Sequence, residues 1–205
     1  MILRESTEPG IHKYAFDIKS SANTLLSLIN EILDSSKIES GKLEIIPVDY
    51  DISSLFHDVH NMIHLRAQKK GLQLVFDIDK NIPSGLYGDD ICIRQIVLNL
   101  LTNAVKYTHD GTVTLIVKSE IQADKAMLFV KVTDTGIGIK EEDIDKLFGK
   151  FERIEESRNR NIEGTGLGMN IVMNLLKMMG TDLKVESEYG KGTTFSFELE
   201  QKVIS

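Results

Sequence analysis

The sequence has one cysteine in 205 residues, no tryptophan and three prolines. With Cys92 alone, an internal disulfide is impossible and a zinc site built on thiolates lacks its donors. A reducing, cytoplasmic setting fits, with room for a membrane anchor in a larger parent. No apolar run approaches the roughly 18 uninterrupted residues of a membrane helix, so no membrane contact is expected of this stretch. Met1-Ile2-Leu3-Arg4-Glu5 has no basic segment followed by an apolar one, so it does not read as a signal peptide. Basic residues are outnumbered, 24 Lys and Arg against 31 Asp and Glu for a net charge of −7, which argues against nucleic acid as a partner. What is present is a 41% hydrophobic fraction, enough to fill a core, in one domain with a sizeable extra element or two small domains.

Ile11, Ala15, Ile18, Ala22, Leu25, Ile29 and Ile32 recur at alternating steps of four and three, which predicts a helix from Ile11 to Glu39 with a heptad seam. Such a seam suits a bundle or a homodimer; the alternative is a helix packed on its own domain. Ser40-Gly41 ends it, and the boundary between an N-terminal helical region and a second domain falls at 42/43. Beyond it, Leu43 to Tyr50 reads as a strand or extended link, restricted to an edge by Pro47. Asp51 or Ser53 caps a helix to about Lys70, with Gly71 just past its end. Leu72 to Ile78 reads as a strand, 81–85 as a loop, and Asp89 to Tyr107 as a long helix. A hairpin-like strand pair follows at Thr112–Ser119 and Ala126–Thr133, then a short helix near Glu141–Phe148. A charged stretch, a helix at Gly166–Met179 and strands at Leu183–Ser187 and Thr193–Leu199 close the chain. The mixture predicts an α+β two-layer sandwich with helices on one sheet face, not a doubly wound parallel sheet.

On the second long helix Asn99, Asn103 and Lys106 form one stripe, while Ile93, Ile96, Val97, Leu100, Leu101, Ala104 and Val105 fill most of the remaining surface. Buried amides call for a polar ligand: their oxygens suit a hard cation such as Mg²⁺, and the lysine suits phosphate. A stripe turned to solvent is the equally weighted alternative. Asp134 ends a strand with Leu128, Val130 and Val132 on its own face and precedes Thr135-Gly136-Ile137-Gly138-Ile139. It suits an acceptor for an exocyclic amine in an apolar pocket, or a plain turn cap. Gly164-Thr165-Gly166-Leu167-Gly168 opens a helix, where bare N–H groups favour an anion. Gly190-Lys191-Gly192-Thr193-Thr194 by itself is a hairpin turn. The Rossmann spacing, the P-loop and the eukaryotic protein-kinase triplets are absent.

Taken in order, these segments resemble the ATP-binding domain of sensor histidine kinases, in the wider family of DNA gyrase, a heat-shock chaperone and the mismatch-repair ATPases. The resemblance covers about Leu43 to Leu199. Arg94 to Thr108 is similar to the N box, Asp134 to Ile139 to the first glycine box, Phe148-Gly149-Lys150-Phe151 to the F box, and Gly164 to Gly168 to the second glycine box. It implies the Bergerat-type ATP-binding fold, a mixed sheet covered on one face, preceded by a long helix. It implies Asn103 as Mg²⁺ ligand with Asn99 beside it, Lys106 and Tyr107 on the phosphates, and Asp134 on the adenine amino group. Gly136, Gly138 and Ile139 would approach the base, with Thr194 near it. Gly164, Thr165, Gly166, Leu167 and Gly168 would form the lid hinge and approach the phosphates. Arg153, with Arg158 and Arg160, would neutralise the γ-phosphate. Hydrolysing relatives carry Glu where Asn99 stands; an amide is no proton acceptor near neutral pH, so the site suits transfer over hydrolysis.

Leu25 to Leu43 resembles the second helix of the kinases' dimerisation and phosphotransfer hairpin. The acceptor motif of the first helix is missing, since His12 is followed by Lys13-Tyr14-Ala15 with no acid next to it and no proline five on. The implied function is ATP-dependent phosphoryl transfer to a histidine this sequence does not carry, for relay to a response regulator receiver domain. A nucleotide-binding dimerisation module without kinase activity is the alternative, and a gyrase- or chaperone-type ATPase a weaker one. His57, His60 and His64 fall in one arc of their helix and read as a solvated face, with a zinc site the less favoured reading.

Overall fold

The computed structural model describes residues 9–148 and 166–204, in two units, Met1–Leu43 and Glu44–Ser205. The first unit is helix α1 (Pro9–Glu39). Its end closes with Gly41 N–H on Ile38 O at 3.0 Å and Lys42 N–H on Lys37 O at 2.9 Å, so orphan carbonyls are satisfied. The seam residues Ile11, Ile18, Leu25, Ile29 and Ile32 are 42–70% exposed. No described helix is long and apolar enough to cross a membrane.

The second unit runs β1 (Val48–Asp51), α2 (Ile52–Lys69), β2 (Gln73–Ile78), β3 (Gly85–Gly88), α3 (Asp90–Tyr107), β4 (Thr112–Gln122) and β5 (Lys125–Asp134). Then come α4 (Glu141–Ile144) with a 3-10 turn at Asp145–Phe148, α5 (Gly168–Met178), β6 (Lys184–Glu188) and β7 (Gly192–Val203). The sheet order is β1-β3-β7-β5-β4-β2, with β6 added alongside β7. The β2–β4 pair is parallel and the others antiparallel, so the sheet is mixed, as expected. Because side chains alternate along a strand, registered strands line up rows on one face. Val117, Val130 and Phe197 make one such row, and Leu115, Val132, Phe195 and Val185 the next.

Helices α2, α3 and α5 cover that face, with α3 in the middle. Val59, Ile96, Val97, Leu100, Leu101, Val172 and Leu176 are 0% exposed; each large one contributes about 1.5–3 kcal/mol through burial. The helix starts are held by carboxylates: Asp51 accepts from Ser54 N–H at 2.6 Å and Asp89 from Cys92 N–H at 2.9 Å. The other Asp89 oxygen accepts from Ile46 N–H at 2.8 Å, fastening the segment before β1 to the head of α3.

Two expectations need adjustment. Of the stretch Leu43 to Tyr50, only the part from Val48 is strand, and Pro47 sits just before that edge strand. Gly85-Leu86-Tyr87-Gly88 is β3, although Gly85 reads as loop and the next three residues carry no assignment from the sequence. Four residues with two glycines carry little strand signal; Leu86 at 0% exposure and backbone pairing to β1 and β7 hold it in place.

Candidate functional site

Along α3 the stripe forms as the spacing predicts. Asn99, Asn103, Lys106 and Tyr107 are half-buried, while Ile96, Val97, Leu100 and Leu101 are fully covered. The stripe does not simply face solvent. The first residue of α5 stands over it, since a Cβ on Gly168 would lie 3.8 Å from Asn99 Oδ1. Among the described residues that helix start has no side-chain cap and no acidic residue in its first turn, and a helix N-terminus favours an anion. Gly166 takes φ +75° just ahead of it, and Leu167 is 1% exposed.

Across the sheet the next row changes character. After two apolar rows, Val113 is followed by Asp134, Thr193 and Ser187, side by side on the helix-covered face. Asp134 is 6% exposed. Burial pushes its carboxyl above the usual carboxylate range, and the N–H groups of Gly136 and Thr193 oppose the rise. Gly136 N–H donates to its Oδ1 at 2.8 Å, so the turn-cap reading is also realised. A turn cap alone needs no burial; a carboxylate held in an apolar wall is suited to recognising a donor.

The glycine loop after Asp134 is clamped on both sides. Ile137 N–H donates to Tyr107 O at 3.2 Å, tying it to the end of α3, and Gly190 N–H donates to Ile137 O at 2.8 Å. Ile139 N–H donates to Ser187 Oγ at 2.8 Å. Gly138 has φ +65°, and a Cβ there would sit 2.1 Å from Glu188 O; Gly192 has φ +122° with Asp134 O at 2.0 Å. No side chain fits at either position. A concavity of about 590 Å³ opens beside Ile139, between α4 and β6, lined by Ile144, Val185, Ser187 and Tyr189 among others.

Thr194 is not brought to Asp134. Its Oγ1 pairs with Thr133 Oγ1 at 3.1 Å on the opposite sheet face. Thr193, in register with Asp134, takes the place expected of it, and its Oγ1 lies 2.9 Å from Ser187 Oγ. Strand alternation with Phe195, Phe197 and Leu199 was the signal for Thr193; Ser187 needed the β6–β7 register. Lys106 Nζ lies 4.8 Å from the centre of the Tyr107 ring, so the two paired expectations are neighbours in space. Gly164, Thr165, Arg153, Arg158, Arg160 and the F box from Gly149 lie outside the described residues. The histidine stripe makes ring contacts: His60 stacks on His64 and meets Phe76 edge-on, each at 5.1 Å.

Residues 88–203 match the family described as histidine kinase-, DNA gyrase B-, and HSP90-like ATPase, a span containing every described site residue. The chain belongs to this ATPase family. It is 44% identical, over 89% of its length, to hybrid signal transduction histidine kinase B of Dictyostelium discoideum, of which it spans 9%. It is 34% identical over 97% of its length to the signal transduction histidine-protein kinase BarA of Escherichia coli K12, and 36% over 97% to the sensor protein GacS of Pseudomonas syringae, spanning 22% of each. The chain therefore covers less than a quarter of these curated relatives. Full-length ShkA in complex with AMPPNP has the same fold at TM-score 0.78 and 27% identity, over all of this chain and 42% of that one. The histidine-kinase resemblance and the sandwich fold both hold. The Asn99 stripe, the α5 start and Asp134 all fall within the matched span.

Proposed function

We propose that the chain is the ATP-binding catalytic portion of a sensor histidine kinase. It holds ATP or ADP with Mg²⁺ and donates the γ-phosphoryl group to a histidine on a helix this sequence does not contain, for relay to a receiver-domain aspartate of a response regulator. The intact kinase would dimerise through α1 and act in the cytoplasm. The observation that carries the reading is the start of α5 set against Asn99, together with the buried Asp134 on the helix-covered sheet face.

The residues present fit a magnesium nucleotide. Half-buried amide oxygens on Asn99 and Asn103 are donors of the kind a hard cation takes, and one of them lies at the anion-favouring helix start. When bound, Mg²⁺ supplies neutralisation of the phosphate charge. Asn103 and Asn99 would hold it; Lys106 and Tyr107 bind and orient the phosphates. Asp134 accepts from the adenine amino group, with the Thr193 hydroxyl beside it. Gly136, Gly138 and Ile139 allow close approach to the base. Gly164 to Gly168 and Arg153 complete the lid side in this reading. Catalysis is then mainly positioning and charge stabilisation. Asn99 offers no carboxylate to activate water, which favours transfer over hydrolysis.

Calorimetric titration with ADP, with and without Mg²⁺, tests the binding half. Addition of ATP together with a polypeptide carrying an acceptor-histidine helix tests transfer. Magnesium-dependent binding, phosphohistidine on the added polypeptide and little on this chain are expected. Absence of binding overturns the reading; binding without transfer favours the dimerisation-module alternative.

A further inference from the structure

Lys70 follows the last residue of α2 and belongs to none of the sequence boxes. Its Nζ donates to Val105 O at 2.9 Å, Lys106 O at 2.8 Å and Thr108 O at 3.3 Å. These carbonyls belong to the last turn of α3, where a helix leaves acceptors without partners. The neighbouring acceptors are also taken: Thr108 N–H and Oγ1 both bond Ala104 O, at 3.1 and 2.7 Å, and Ile137 N–H bonds Tyr107 O. Every carbonyl from Ala104 to Thr108 is thereby engaged, three of them by one ammonium. Only an ammonium presents three hydrogens in a tripod, and its charge suits the negative end of a helix.

This arrangement carries a cost. A helix end can be satisfied by water, yet here a second cation is held beside Lys106. Burial and the Lys106 charge both push the Lys70 ammonium below the ordinary lysine range. The same turn carries Lys106 and Tyr107 on one side and, through Tyr107 O, the docked Gly136–Ile139 loop on the other.

We propose that Lys70 is a positioning residue for nucleotide: its ammonium fixes the last turn of α3, and so fixes at once the phosphate-side pair Lys106–Tyr107 and the seat of the adenine-side glycine loop. The inference rests on the nucleotide reading above. Lys70 itself touches no ligand in this scheme; it acts through the three carbonyls.

The test compares Lys70→Met, Lys70→Arg and the control Lys125→Met in the whole chain. Lys125 pairs with Glu200 on an exposed part of the sheet, so the control removes the same charge elsewhere. ADP affinity with Mg²⁺ is measured by calorimetry, and amide hydrogen exchange at Thr108 and Ile137 is measured without nucleotide. Lys70→Met is expected to weaken ADP about tenfold and to speed exchange at both amides by a similar factor, the range for losing charged hydrogen bonds. Lys70→Arg, which keeps the charge but not the tripod, should fall between Lys70→Met and the starting protein in both quantities, and Lys125→Met should change neither quantity. ADP affinity within twofold of the starting protein in Lys70→Met, with unchanged exchange, overturns the proposal. If Lys70→Met does not fold, Lys70→Gln makes the same comparison with a smaller expected loss, and equality with the starting protein overturns the proposal there too. Failure of the unaltered chain to bind ADP defeats the nucleotide reading, whereas the exchange comparison still reports on the Lys70 tie.

Discussion

Helices α1 and α3 are written in the same alphabet and end in opposite environments. Both repeat aliphatic residues at three- and four-residue steps. In α3, Ile93, Ile96, Val97, Leu100 and Leu101 are at most 2% exposed. In α1, Ile11, Ile18, Leu25, Ile29 and Ile32 remain 42–70% exposed. The difference is in what surrounds the helix. α3 has a sheet beneath it, a helix on either side, Asp89 at its head, Arg94 paired with Asp58 and Asp90, and Lys70 at its end. Among the described residues α1 has its own C-terminal closure. Periodicity therefore reports that a face is apolar; the surrounding layers decide whether that face is completed within the domain or left for another chain.

Breaking α3 should have the largest effect. Leu100→Ala empties a fully covered position and is expected to cost about 3–5 kcal/mol of the unfolding free energy, read from denaturant melts. A loss near 1 kcal/mol would mean that α3 is less tightly enclosed than its burial indicates.

Asp134→Asn tests the polar row instead of the apolar one. Losing a charged acceptor in a buried wall should weaken ADP about a hundredfold, with little change in the melting temperature. Acidity sharpens this test, because burial holds the Asp134 carboxyl above the usual carboxylate range. The folded state then binds this proton more tightly than the unfolded chain does. Its contribution to stability is fully present below the unfolded value and is lost as pH rises through the folded value. Nucleotide affinity moves the other way, falling as pH drops through the raised value, because the ionised form is the stronger acceptor. Opposite slopes in one pH window, both absent in Asp134→Asn, are the expected signature in parallel melts and titrations.

The sequence made α3 and Asp134 legible because both depend on local spacing: a helical stripe, and a carboxylate in phase with Leu128, Val130 and Val132. Thr193 shares the Asp134 face and Thr194 the opposite one; alternation with Phe195, Phe197 and Leu199 hints at this, and the registered pairing of β7 with β5 shows it. Ser187 and Lys70 were invisible for a related reason. Their partners, Thr193 and Ile139 in one case and Val105, Lys106 and Thr108 in the other, are set by tertiary docking that no spacing encodes. The strand β3 was hidden because its stability is borrowed from β1 and β7 instead of its own residues.

Asp89→Ala should have an intermediate effect. It removes the cap on Cys92 N–H and the tie to Ile46 N–H together. A lost cap costs about 1–2 kcal/mol. Hydrogen exchange at Ile46 should rise along with it, and a stability loss without faster exchange there would show that the segment before β1 is held by something else.

The smallest effect on stability should come from α1, and that is where the comparison is most exposed to failure. Ile29 is 43% exposed in the single chain. If the seam is completed only by a second copy, Ile29→Ala should leave unfolding of the Glu44–Ser205 unit within about 0.5 kcal/mol of the starting protein, as for an ordinary surface change. It should instead weaken self-association, read by sedimentation across a concentration series, because an aliphatic side chain contributes to binding only once water is excluded from it. A protein that stays monomeric throughout, yet loses about 2 kcal/mol of stability on this substitution, would show that the α1 seam is closed within one chain. The contrast between the two helices would then dissolve.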